Sequence, residues 1–301
     1  MAFWKKKLKI DPLGGDPNAV LLAEAMSKQD VAAVRELFAS VHHPDDRAYY
    51  AGICAEVPGV QDWIDGWIAA EPRSTLPLLL KGVHGVRHAW EARGAATAEH
   101  TAMEQFREFH RRLKIAEDCL DEVVERDPDD TTAWAALVTS ARGRQVGAAE
   151  AQRRFQGVIS RFPEHREAHE QMLQYKCGKW FGSEEEMFAF ARSAPDSLAH
   201  LVAVAHIESW LGGDDGGALE SEEVRAELRA AEGRAAGARR DPGWGTVDNT
   251  FAMAFGLADE WTAAKARFEM IGDRVTEWPW LYLGDAERKF EQFRKRANRL
   301  G

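Results

Sequence analysis

Cysteine is scarce in this 301-residue chain: Cys54, Cys119 and Cys177 are the only three, and they lie far apart. No C-x-x-C pair or disulfide framework can be drawn from them, which suits a reducing, cytoplasmic setting. Strand signals are nearly absent. Long apolar runs are missing too, and no window approaches the length of a membrane span. The basic start, Met1 to Ile10, lacks the apolar stretch of a signal peptide, because Asp11-Pro12-Leu13-Gly14-Gly15-Asp16-Pro17 follows it. Positive charge is in deficit, with 39 Lys and Arg against 49 Asp and Glu, a net charge of −10. Such a chain offers no overall field for a phosphate backbone, so no nucleic-acid partner is expected. The Gly-x-Ser-x-Gly elbow, the Walker phosphate loop and the dinucleotide fingerprint are all absent, so no reaction and no cofactor is indicated.

What remains is globular in composition, 45% apolar and 29% charged. Apolar residues recur at helical spacing, as in Met103, Phe106, Leu113, Ala116, Leu120 and Val123. Prolines punctuate them at Pro72, Pro128, Pro163, Pro195 and Pro242, with intervals of 56, 35, 32 and 47 residues. Two of these intervals are close to the 34 residues of a tetratricopeptide unit. Twelve, eight and five residues before each proline, a small residue and two apolar ones are expected to pack the helix pair. The sets are Ala116, Leu120 and Val123; Ala151, Phe155 and Val158; Ser183, Met187 and Phe190; and Val60, Ile64 and Trp67. Before Pro242 only the small residue, Ala230, fits. After Pro128, Trp134-Ala135-Ala136-Leu137 matches the W-x-x-L start of a tetratricopeptide first helix. Phe251, Phe255, Ala264 and Phe268 continue the pattern.

The pattern predicts an all-α fold, a tetratricopeptide-like α-solenoid of stacked antiparallel helix pairs over residues 17–281. One pair cannot bury its own apolar face, and stacking the next pair on it does. Residues 1–16 read as a basic, aromatic tail, either frayed or covering the first helix pair. Phe3 and Trp4 beside four lysines also suit an anionic membrane surface. Residues 282–301 read as an amphipathic basic helix, an end cap or a docking face for an acidic partner. Two stretches break the period. Residues 91–115 lengthen the helix before Pro128, which is expected to run from about Thr97 to Arg126. Residues 212–221 form a Gly- and Asp-rich loop without the residue order of a calcium loop.

One segment carries a more particular likeness. Ala89-Trp90-Glu91-Ala92-Arg93-Gly94 and Lys179-Trp180-Phe181-Gly182-Ser183-Glu184, with the helix pairs between them, resemble a bacterial family of tetratricopeptide-like proteins, the domain of unknown function 4034. The resemblance covers roughly residues 60–195, and Phe181 departs from it where a glycine is expected. It implies the helical fold and brings no reaction with it.

Eleven tryptophans are about three times the usual share. Trp67 and Trp134 stand at packing offsets. Trp90 and Trp180 do not, and each has a cation beside it, Arg93 and Lys179. An aromatic face with a cation can hold a flat or anionic ligand; alternatively the two rings pack the junction of the long helix. His84 and His88 form a helical i, i+4 pair, as do His165 and His169. Either pair could supply two metal ligands, but no third is in sight and no metal is expected. The candidate ligand-binding residues are therefore Trp90, Arg93, Lys179, Trp180, His84 and His88. The function expected is a non-catalytic binding scaffold that holds a protein segment or peptide in a concave groove. The tetratricopeptide carboxylate clamp is not expected, because Leu79, Val83, Ala135 and Thr139 occupy its positions. The alternative is a small-molecule-binding protein or enzyme with its pocket inside the curl.

Overall fold

The computed structural model describes residues 8–93, 103–213 and 218–301. These contain fifteen α-helices and no strand, the all-α outcome expected from uniformly helical apolar spacing. They fall into two compact units. Pro17–Ser183 forms one, and Glu184–Gly301, with the N-terminal residues up to Asp16, forms the other.

The first unit holds α1 (Pro17–Ser27), α2 (Val31–Ser40), α3 (Pro44–Glu56), α4 (Ile64–Ala70), α5 (Leu76–Arg93), α6 (Met103–Arg126), α7 (Thr131–Arg144), α8 (Ala148–Ile159) and α9 (Arg166–Lys176). The expected long helix before Pro128 is α6, and residues 97–102 lie outside those described. Acids and histidines cap several of the helix starts, Asp30, His43, Asp130 and His165 among them. Asp130 accepts the Ala133 N–H at 3.0 Å and Asp30 accepts the Ala33 N–H at 3.1 Å, each satisfying a backbone donor that has no partner inside its helix.

Helices α5 and α6 run in opposite directions along a close contact. A Cβ on Gly82 would meet the Leu120 side chain, and one on Gly85 would stand 2.8 Å from the Ala116 Cβ. Further along, Arg112 donates to the His88 carbonyl at 3.0 Å and the Phe109 ring lies 5.0 Å from Trp90. The offsets read from the prolines land in the core here: Ala116, Leu120, Val123, Ala151, Phe155, Val158, Val60, Ile64 and Trp67 are all buried. Trp134 is only half-buried. It lies flat on Gly157 of α8, where a Cβ would come within 2.5 Å of its ring, and its Nε1 donates to the Pro128 carbonyl at 2.9 Å.

Helix α3 packs against α5, α7 and α9. Its first turn supplies Arg47, paired with the capping Asp130 of α7 at 3.1 Å, and Asp45, which accepts the Arg166 N–H of α9 at 2.9 Å. The starts of α3, α7 and α9 are thus tied together.

The second unit holds α10 (Glu184–Ser193), α11 (His200–Gly212), α12 (Glu222–Ala235), α13 (Gly245–Leu257), α14 (Trp261–Ile271) and α15 (Ala286–Leu300). Its core gathers Phe251, Phe255, Phe268, Trp280 and Phe290, with Trp280 edge-on to Phe290 at 5.4 Å. The proline offset fails in this unit. Ala230 is exposed, and Leu228, Ala231 and Ala235 are buried instead. Helix α12 stops at Ala235, well short of Pro242, so counting back from that proline lands on the wrong face. Ser183 is likewise exposed rather than packed, because the chain there is an irregular turn before α10. The acidic loop of residues 212–221 lies partly outside the described residues; its end carries Ser221, which caps α12 by accepting the Val224 N–H at 3.2 Å. The described end of the N-terminal tail belongs to this unit rather than to the first helix pair. Leu8 is buried, and the Ile10 N–H donates to Glu287 of α15 at 3.1 Å.

Candidate functional site

Three parts of the first unit meet around two indole rings. Trp90 stands on the last turns of α5, and Arg93, three residues on, shares its face. Trp180 comes from the irregular turn after α9. That turn is closed by backbone bonds from Trp180 N to the Cys177 carbonyl at 2.9 Å and from Phe181 N to the Tyr175 carbonyl at 3.3 Å. Gly182 lies so close to Lys176 that an added Cβ would sit 2.6 Å from the Lys176 carbonyl carbon. Only glycine fits there, which gives the glycine of the Lys-Trp-x-Gly-Ser string a physical reason.

The Trp90 and Trp180 rings meet edge to face, 5.7 Å between centroids. The Arg93 guanidinium lies 5.6 Å from the Trp90 ring and 5.4 Å from the Trp180 ring. A second cation completes the cluster. Arg142, on the last turn of α7, lies 4.8 Å from Trp90 and 5.0 Å from Trp180. All four side chains are half-buried. Lys179 and Phe181 flank them and are exposed, Phe181 by 43%.

The electrostatics follow from position. Both arginines occupy the final turns of their helices, where the negative end of the helix dipole favours a cation by about 0.3–1 kcal/mol. Burial pulls Arg93 below the ordinary guanidinium value. The Trp90 Nε1 is buried and donates to no acceptor among the described residues. The arrangement offers stacking faces, two cations and one spare donor.

The structure brings Trp90, Arg93 and Trp180 together, sets Lys179 at their edge, and leaves His84 and His88 out. His84 is buried, with Nδ1 2.8 Å from the Ala55 carbonyl and Nε2 2.9 Å from Gln61 Oε1, so both ring nitrogens are used within the fold. His88 stacks on it at 5.6 Å and is pulled below the usual histidine value by burial, then by Arg112 and His84. His88 stands two positions before Trp90, a turn of about 200° that puts them on opposite faces of α5. Arg142 has no motif around it. The one signal for it is its place near a helix C-terminus, and a neighbouring helix has to be stacked before that place means anything.

The second histidine pair is structural as well. His165 caps α9 by accepting the Ala168 N–H at Nδ1, and burial pushes it down to about 3. His169 Nδ1 lies 2.9 Å from the His165 carbonyl. Between them in sequence, Glu167 is pushed up to about 7 by burial, with Glu170 acting in the same direction. Among the described residues no group of three or more His, Cys, Asp or Glu is placed to hold a metal ion. No described helix is long and apolar enough to cross a membrane. No known family model matches the chain, and no curated protein or solved structure does either.

Proposed function

We propose that this chain is a non-catalytic binding scaffold of stacked tetratricopeptide-like helix pairs, and that it holds a protein segment at the Trp90–Arg93–Arg142–Trp180 cluster. The observation that carries the reading is the convergence of two tryptophans and two arginines from α5, α7 and the turn after α9 onto one half-exposed patch. Tryptophan and arginine dominate the energetic centres of protein interfaces. Large rigid rings cost little entropy to dock, and here the guanidiniums already hold them in place. Phe181 and Lys179 extend the patch with an exposed ring and an exposed cation. The reading keeps the partner type expected from the sequence and moves the docking point. It lies at the C-terminal ends of α5 and α7 rather than along a groove. In this reading the strings that carry the likeness to the domain of unknown function 4034 are the docking residues.

The test is a photo-crosslinking amino acid at position 181, with the captured protein identified by mass spectrometry and its affinity then measured directly. Phe181→Ser and Lys179→Glu should each weaken that affinity at least tenfold, with changes in melting temperature small enough to leave the chain folded in the assay, because both side chains are exposed. Val20→Ser, an equally exposed change on α1, should not. Equal affinities for the position-181 and position-20 variants would remove the proposal. The second reading, a small anionic molecule, draws on the unused Trp90 Nε1. It predicts quenching of the tryptophan emission by a low-molecular-weight fraction of the host extract, lost in Arg93→Gln.

A further inference from the structure

The ring cluster extends past the indole pair. The Phe181 and Trp180 rings stand 6.5 Å apart between centroids, so Trp90, Trp180 and Phe181 follow one another. A buried ring backs each end. Phe109 of α6 lies 5.0 Å from Trp90, and Tyr175 of α9 lies 5.0 Å from Phe181. Trp90 and Trp180 are half-buried and Phe181 is exposed, so the three rings form a partly open platform on a packed base. Rings held in this way lose little freedom when a ligand lies on them.

The polar side chains of the platform are all of one kind. Arg93, Arg142, Lys179 and the two indoles carry hydrogen-bond donors, and none of these side chains can accept. An ordinary peptide suits such a surface badly, because each residue brings an N–H with every carbonyl. Proline brings the carbonyl alone. A run of prolines adopts the polyproline II helix, in which no carbonyl is used internally and the backbone is already extended. The three ring centroids span at most about 12 Å, which such a helix covers in about four residues at 3.1 Å each. A methylated or quaternary ammonium, the other ligand that paired aromatic rings attract, would meet like charge here. The Arg93 and Arg142 guanidiniums already lie 4.8 to 5.6 Å from the two indoles.

We propose that the segment held at this site is proline-rich, docks as a polyproline II helix across Trp90, Trp180 and Phe181, and carries acidic residues beside its prolines. The proposal rests on the reading of this patch as a docking site and adds the class of partner. Proline-rich segments pack on aromatic-lined surfaces, and their preset backbone spares most of the ordering entropy of a flexible segment. The acidic flank answers the cations of the platform, since a carboxylate, like a proline carbonyl, only accepts.

The experiment is fluorescence polarisation of the full chain with a fluorescein-labelled peptide of five prolines followed by two glutamates. Saturable binding is expected. Replacing the prolines with alanine should weaken it by at least about tenfold, because an alanine segment still has backbone freedom to lose. Replacing the glutamates with glutamine should weaken it by up to about fivefold per charge, the ceiling for a solvent-screened ion pair. Phe181→Ser should weaken it by at least about tenfold and Val20→Ser should leave it unchanged, with circular dichroism showing both variants folded. No binding, or equal binding of the alanine peptide, would overturn the proposal. So would a protein captured by crosslinking at position 181 that makes its contact through a segment without proline; the docking site would then stand and its partner class would fall. Peptide binding untouched by Phe181→Ser would place the peptide elsewhere and remove both readings.

Discussion

Replacing Gly182 with alanine tests whether the turn after α9 is held as tightly as its geometry states. The added Cβ would lie 2.6 Å from the carbonyl carbon of Lys176 and 2.7 Å from its Cα, against the 3.4 Å or more of an ordinary contact. Both obstacles are backbone, so no rotamer change relieves them, and the chain must move by most of an ångström. It can absorb the strain of overpacking, about 1–3 kcal/mol. Or it can open, losing the bonds from Trp180 N and Phe181 N at about 1 kcal/mol each and the Trp90–Trp180 pairing at about 0.5–1.5 kcal/mol. The two routes cost nearly the same, so the expected loss is about 2–3 kcal/mol in a urea melt. Opening would also reduce the near-ultraviolet circular dichroism of the coupled indoles. Gly178 provides the control four residues earlier in the same turn. Nothing lies within 4 Å of a Cβ there, so Gly178→Ala should be neutral or slightly stabilising through the entropy of the unfolded chain. Equal melts for the two variants would refute the steric reasoning.

Three further outcomes are expected. Glu167 titrates in the folded chain at about 7, above its ordinary 4.5, so its ionisation destabilises the fold progressively as pH rises between those values. Glu167→Gln should therefore gain up to about 2–3 kcal/mol over the wild type at pH 8 and nothing at pH 4; denaturant melts at both values check it, and an equal gain at both would contradict it. Arg154, on α8, is buried against α6 and α7, donating to Glu117 at 2.7 Å and to the Leu137 carbonyl at 3.0 Å. Arg154→Ala should cost about 1.5–3 kcal/mol, because Glu117 loses one charged hydrogen bond but keeps Arg144 at 3.0 Å and Ser140 at 2.9 Å, and a loss under about 0.5 kcal/mol would place the charge in water. Burial pushes the Cys54 thiol up to about 12 and all three cysteines are buried, so a thiol reagent at pH 8 should label the native chain only as fast as it unfolds.

The parts of this fold that could be read from the sequence are those where a helix ends directly before a proline. Ala116, Leu120 and Val123 are found by counting back from Pro128 because α6 runs almost to it, ending at Arg126. The same count misleads before Pro242, since a run of non-helical chain intervenes and composition does not reveal its length. The site divides in the same way. Trp90 and Arg93 are neighbours on one helix, and their spacing announces it. Whether His84 is a ligand or a packed core group depends on Ala55 and Gln61, partners 29 and 23 residues away. Arg142 joins the indoles only because α7 packs beside α5, a fact of tertiary stacking that no local pattern encodes.

The tie between α3 and α9 has a consequence for synthesis. Where each helix touches only its neighbours in sequence, a chain can consolidate pair by pair as it emerges. Here Asp45 waits for the Arg166 N–H, a partner 121 residues downstream. On a ribosome adding about 5–20 residues per second, the first turn of α3 stays incomplete for about 6 to 24 seconds, with α3 covered only by α1, α5 and α7 as they are made. That interval is when a chaperone has most to hold, and it closes when α9 clears the exit tunnel.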